Sequence, residues 1–146
     1  MNKKLVYIID DNDADILLVK ESLRNFNSPL NMVVFQDGEN AIEHFKTLDA
    51  NKELSLPELI ILDINIPRQS GMEVLKFIRS REQLHHMPVV MMSTSRSNKD
   101  VLKSYQLGAN SYISKPIDFN DFFDSINEIF NYWFNRSLLP IVDRSL

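Results

Sequence analysis

Residues 59–67 read LIILDINIP. Four apolar residues run without a break into Asp63, and Pro67 closes the segment. An unbroken apolar run of this length suits a strand covered on both faces, as in a parallel sheet. Such a strand delivers the carboxylate at its end to the carboxyl rim of the sheet, where open α/β sheets bind ligands. What the carboxylate of Asp63 does there depends on what else arrives at that rim.

Four more short runs have strand character: Leu5–Ile9 (LVYII), Met32–Phe35 (MVVF), Val89–Met92 (VVMM) and Ser111–Ile113 (SYI). Segments of helical period separate and follow them. Ile16, Val19, Leu23 and Phe26 step by three and four residues and share one helix face. Ala41, Ile42, Phe45 and Leu48 form a second stripe, and Met72, Leu75 and Ile78 a third. Val101, Leu102 and Tyr105 form a fourth, and Phe122, Ile126, Ile129 and Trp133 a fifth. Asn40, Ser70, Ser97 and Asn120 mark helix starts. The order is a strand and a helix repeated five times, which predicts a doubly wound five-stranded parallel sheet with right-handed crossovers. The polar stretch 47–57 reads as an exposed loop or a frayed, overlong second helix. Pro140 bars helix beyond the fifth stripe, and Leu138, Leu139, Ile141 and Val142 need cover.

Composition narrows the function. The chain has 146 residues, 44% hydrophobic and 25% charged, an ordinary makeup for one soluble domain. A net charge of −4 offers no basic surplus for nucleic acid. No apolar run approaches the roughly 20 residues that cross a bilayer. The two lysines and short apolar run at the N-terminus are too brief for a signal peptide, so a cytoplasmic setting is expected. With no cysteine, disulfides, thiolate metal sites and cysteine nucleophiles are excluded.

The strand ends carry the chemistry. The first ends in Asp10-Asp11, the third in Asp63, the fourth in Ser93-Thr94-Ser95 and the fifth in Lys115-Pro116. Two like charges about 4 Å apart repel by about 4 kcal/mol at an effective dielectric near 20. Converging carboxylates therefore need a cation or raised pKa values. A hard divalent ion such as Mg²⁺ takes carboxylate and phosphate oxygens. Histidines stand only at 44, 85 and 86, on helix or loop segments, which makes zinc a poor fit. A carboxylate can attack phosphorus, and a lysine suits a phosphoryl oxygen. Each signal also has a plainer reading. Asp10-Asp11 could decorate a helix N-terminus, Asp63 could serve a turn, and Lys115 could be a surface lysine. Ser93 competes with Thr94 and Ser95, and is preferred because it directly follows the apolar run. It is the set that favours chemistry.

The pieces DD, LDINIP followed by Gly71, MMSTS and YISKP, in this order, resemble the receiver domain of two-component response regulators. The resemblance covers roughly residues 3–130 and implies a flavodoxin-like (βα)5 fold with strand order 2-1-3-4-5. It implies that Asp63 is the phosphoacceptor, that Asp11 binds Mg²⁺ directly, and that Asp10 holds metal-bound water. Asn65 would offer its backbone carbonyl to the metal. Ser93 would bond the phosphoryl group, Tyr112 would be the aromatic switch, and Lys115 would contact the phosphoryl oxygens before a cis bond to Pro116. Thr94 stands where a smaller residue is frequent, which predicts slower transfer or hydrolysis.

The end YWFNRSLLP resembles the tail of single-domain regulators paired with bacterial phytochromes and similar sensor kinases. These likenesses imply one receiver over 1–146, with 131–146 as an extension and no output domain. They imply a sensor histidine kinase partner, phytochrome-like or hybrid. They also imply signalling rather than enzymatic turnover, and a homodimer through the fourth helix, fifth strand, fifth helix and tail. Phe119, Phe122, Phe123, Phe130 and Phe134 exceed what one buried face needs, consistent with an interface. Two rivals remain. A Mg²⁺-dependent aspartyl-phosphate phosphatase would need a second acid two residues after Asp63, where the chain has Asn65. A degenerate, phosphate-independent receiver would not need the acid, hydroxyl and lysine together.

Overall fold

The apolar runs form the sheet of the computed structural model, which describes residues 3–144. The strands are β1 (Lys4–Ile9), β2 (Leu30–Phe35), β3 (Leu59–Leu62), β4 (Val89–Ser93) and β5 (Ser111–Ser114). All neighbours pair in parallel, in the order β2-β1-β3-β4-β5. The sequence expectation of a doubly wound, flavodoxin-like sheet is met. β3 and β4 are buried at every position, which is why they read as continuous apolar runs. β5 lies at an edge and is half-buried throughout.

Alternation along the central strands feeds two cores. Val6 and Ile8 of β1, with Ile61 and Met92, pack beneath α1 (Asp13–Arg24) and α5 (Phe119–Phe130), represented by Val19, Phe122, Ile126 and Phe130. Tyr7 and Ile9, with Ile60, Leu62 and Met91, meet Phe45 and Leu48 of α2 (Gly38–Ala50) and Leu75 and Ile78 of α3 (Gly71–Ser80) on the other face. Burying each such Ile, Leu or Phe contributes about 1.5–3 kcal/mol. The two layers hold the strands level, so their carboxyl ends form one rim.

The helix starts show where short-range reading was displaced. Ser70 caps α3, accepting the Glu73 N–H at 3.3 Å, as expected. α2 is capped by Asp37, not Asn40; Asp37 Oδ1 instead accepts the Asn40 N–H at 2.7 Å. Likewise Asp118, not Asn120, caps α5 through the Asp121 N–H. An acid at the cap both accepts the free N–H and meets the positive end of the helix dipole. Ser97 does precede α4 (Asn98–Gln106), but its side chain makes no capping bond.

Three other expectations are corrected. The Val101, Leu102 and Tyr105 stripe is not the buried face of α4: Leu102 and Tyr105 are exposed, and the buried residue is Ser104, bonded to the Asp100 carbonyl. No cis peptide bond occurs among the described residues, so the Lys115–Pro116 bond is trans. Even before proline, trans is favoured by about 0.5–1 kcal/mol. The apolar tail is only partly covered, since Leu138, Ile141 and Val142 remain exposed.

α5 passes directly into a π-helical turn, Asn131–Arg136, that carries Trp133 and Phe134 onto the α1 side of the core. Beyond it the chain runs back toward α2. The guanidinium of Arg144 is buried there and donates to the carbonyls of Leu48 and Leu54. α2 continues to Ala50, so only the first four residues of the expected loop are helix. The last two residues of the expected 131–146 extension lie outside the described residues.

Candidate functional site

The backbone ladder continues past the ends of the strands, and this places the site. Asp10 N–H donates to the Phe35 carbonyl at 3.0 Å, and Asp63 N–H to the Ile9 carbonyl at 2.9 Å. Lys115 N–H donates to the Ser93 carbonyl at 2.7 Å. Asp10, Asp63 and Lys115 are therefore held as extensions of β1, β3 and β5. Asp63 is pinned further by α3, because Gly71 N–H reaches the Ile64 carbonyl at 2.8 Å. The helix comes so close that a Cβ on Gly71 would stand 2.0 Å from the Asp63 carbonyl oxygen. Only a residue without a side chain fits there.

Three of the four acidic or amide residues proposed from sequence for a metal converge through their side chains. One carboxylate oxygen each from Asp10, Asp11 and Asp63 lies within 4.8 Å of the others. Asp10 and Asp63 are buried, and Asp11 is exposed. Asn65 is exposed, with its N–H directed to Asp63 Oδ1 at 3.3 Å. Three hard carboxylate oxygens at this spacing fit a divalent cation of the Mg²⁺ or Mn²⁺ kind.

Lys115 completes the cluster. Its side chain is 5% exposed, and Nζ donates to Asp10 Oδ2 at 2.7 Å, Asp15 Oδ2 at 2.8 Å and Asp63 Oδ2 at 2.8 Å. Burial pushes against the Lys115 charge, but the bonds to Asp10, Asp15 and Asp63 outweigh it and hold its pKa above the usual lysine range. Burial raises the Asp10 pKa, an effect the Lys115 bond and the Asn12 N–H only partly offset. Four carboxylates face one ammonium here, so the rim is short of positive charge.

Ser93 is fully buried at the end of β4, and its Oγ accepts the Ser95 N–H at 3.4 Å. Thr94, beside it, is exposed. Tyr112 is half-buried on β5, and its hydroxyl donates to the Ser95 carbonyl at 2.7 Å. The candidate switch residues thus meet at one loop, between β4 and α4.

Two contributors escaped the sequence reading. Asp15, in the first turn of α1, accepts from Lys115 Nζ across 100 residues, and no local pattern marks it. Arg68, at φ 52° in the loop after β3, donates to Asp37 Oδ2 at 2.6 Å. This ties the loop that follows Asp63 to the start of α2, where Gly38 N–H also reaches the Pro67 carbonyl at 3.0 Å.

The chain is similar to known proteins over most of its length. A family model described as the response regulator receiver domain matches residues 6–127. Response regulator Rcp1 of Synechocystis sp. is 31% identical over 137 residues, covering 94% of this chain and 93% of that protein. The crystal structure of the phosphorylated cyanobacterial phytochrome response regulator RcpA has a TM-score of 0.90 at 35% identity, covering 96% of this chain and 100% of that one. The Mn²⁺-bound form of response regulator Rcp1 has a TM-score of 0.88 at 31% identity, covering 94% of this chain and 99% of that one. The chain belongs to the response regulator receiver domain family.

Proposed function

We propose that this chain is a stand-alone receiver, 1–146 with 131–146 as its extension, that takes a phosphoryl group from a sensor histidine kinase onto Asp63. The observation that carries this reading is the Lys115 ammonium, 2.8 Å from Asp63 Oδ2 within an acidic trio at the sheet rim. A carboxylate oxygen of Asp63 attacks phosphorus of the phosphohistidine. The P–N bond breaks, its electron pair returns to the imidazole, and that nitrogen takes up a proton. Lys115 bonds the transferred oxygens, and the buried hydroxyl of Ser93 supplies a further donor. Asp10, Asp11, Asp63 and the backbone carbonyl of Asn65 would hold Mg²⁺, which supplies charge to offset the carboxylates and the phosphoryl oxygens. RcpA, described as phosphorylated, and Rcp1, described as Mn²⁺-bound, lend support by likeness.

The output is a change of contacts rather than turnover of a substrate; the chain assists only its own phosphorylation and dephosphorylation. New charge at Asp63 biases the β4–α4 loop between two arrangements. The Tyr112 hydroxyl on the Ser95 carbonyl links that loop to β5. Leu102, Tyr105 and Phe119 are exposed on α4 and α5, and this face with the apolar tail forms a homodimer. The kinase is of the phytochrome-associated or hybrid kind. The setting is cytoplasmic, and no described helix is long and apolar enough to cross a membrane.

The test is incubation with acetyl phosphate and Mg²⁺, read by intact mass and gel filtration. The parent gains one phosphoryl group and shifts in size, and Asp63→Asn gains none. Equal labelling of the two would remove Asp63 from the reaction.

A further inference from the structure

We propose that Asp15 is a positioning residue that holds Lys115 aimed at the phosphoryl group; the inference rests on the reading of Asp63 as acceptor. A lysine ammonium has three N–H donors, and here all three are committed, to Asp10, Asp63 and Asp15. Two of these partners also belong to the trio that fits a cation. Asp15 does not. When Asp63 becomes an acyl phosphate and Asp10 faces a metal, Asp15 is the partner that Lys115 keeps. A flexible four-carbon side chain then stays oriented instead of sampling other rotamers.

The local structure leaves Asp15 free for this. It is the third residue of α1, where an acid commonly reaches back to the N–H of the capping residue. That N–H, of Asn12, is already taken by Asp10 Oδ1 at 2.9 Å. The Asp15 N–H is itself capped by Asn12 Oδ1 at 3.0 Å. With both capping bonds made, the Asp15 side chain turns inward and is only 19% exposed. Ile16 and Val19 anchor the helix that carries it.

The test compares the parent with Asp15→Asn, Asp15→Glu and Asp13→Asn. Asp13 lies in the same helical turn and bonds Gln36, so it controls for lost charge alone. One readout is the initial rate of phosphorylation by acetyl phosphate at saturating Mg²⁺. The other is the ¹⁵N–¹H signal of the Lys115 ammonium in Mg²⁺-loaded, unphosphorylated protein. We expect Asp15→Asn to slow labelling about tenfold and to lose the slowly exchanging ammonium signal. Asp13→Asn should stay within about twofold, and Asp15→Glu should regain part of the rate and signal. An Asp15→Asn rate equal to that of Asp13→Asn, or an ammonium signal that persists in it, overturns the proposal. A parent that takes no phosphoryl group defeats the functional reading instead, and the ammonium signal still decides the role of Asp15. If Asp15→Asn does not fold, Asp15→Gln is judged by the same two readouts.

Discussion

Lys115 Nζ lies 2.8 Å from Asp63 Oδ2, although 52 residues separate the two and β4 stands between their strands. The lysine crosses the end of a whole strand to reach the acid. In doing so it neutralises part of a cluster that would otherwise repel itself.

Replacing Lys115 with Met keeps the stem and removes the ammonium. Removing one member of a buried charge network leaves its partners uncompensated, at a cost of about 3–5 kcal/mol. We expect Lys115→Met to lose about 3 kcal/mol in urea unfolding with a chelator present. Much of that loss should return in Mg²⁺, which takes over the role of compensating charge. Equal stability in both buffers would show that the carboxylates need no compensation.

Gly71→Ala tests how tightly the acceptor strand is held. The added Cβ would meet the Asp63 carbonyl oxygen at 2.0 Å and the Ile64 Cα at 2.9 Å, both backbone atoms. The neighbours cannot give without moving Asp63. Overpacking of this kind costs about 1–3 kcal/mol, and a lower urea midpoint with an unchanged slope would report it. Labelling of Asp63 should slow as well. Parent-like stability would mean that α3 can slide.

Tyr112→Phe removes one hydroxyl and its 2.7 Å bond to the Ser95 carbonyl. The expected loss is about 1 kcal/mol. Amide hydrogen exchange should quicken around residues 95–97, where the Ser97 N–H also depends on the Ser95 hydroxyl. Unchanged exchange there would detach Tyr112 from the loop.

His44 makes stability depend on pH. Its ring sits among Tyr7, Phe35 and Phe45, and Nε2 is 2.7 Å from the Tyr7 hydroxyl. Burial lowers its pKa from 6.5, so the unfolded chain binds the proton more readily. The stabilising contribution is complete above about pH 6.5 and is lost as pH falls through the lowered folded value. Burial shifts His86 in the same direction. Urea midpoints between about pH 8 and 5 should therefore decline toward acid, and His44→Gln should flatten part of that decline. An identical slope in the variant would assign the effect elsewhere.

What could be read from sequence was whatever the backbone dictates at short range. LIIL before Asp63, VVMM before Ser93 and the stripes at Phe45 and Ile126 report burial directly, because strand and helix periods are local. Parallel topology then brings the ends of β1, β3 and β5 to one rim, so Asp10, Asp63 and Lys115 were legible as a set. Helix caps were less so, since Asp37 and Asn40 are both good cap residues and only the path of the chain chooses between them.

The sequence by itself determined the alternation of strands and helices and the acids and lysine at the strand ends, because each is written within a few neighbouring residues. Tertiary structure alone decided that Asp15 meets Lys115 across 100 residues, that Arg68 clasps Asp37, and that Arg144 returns to α2. Those contacts depend on how layers pack around the sheet, and side-chain reach across layers leaves no periodic trace in the chain.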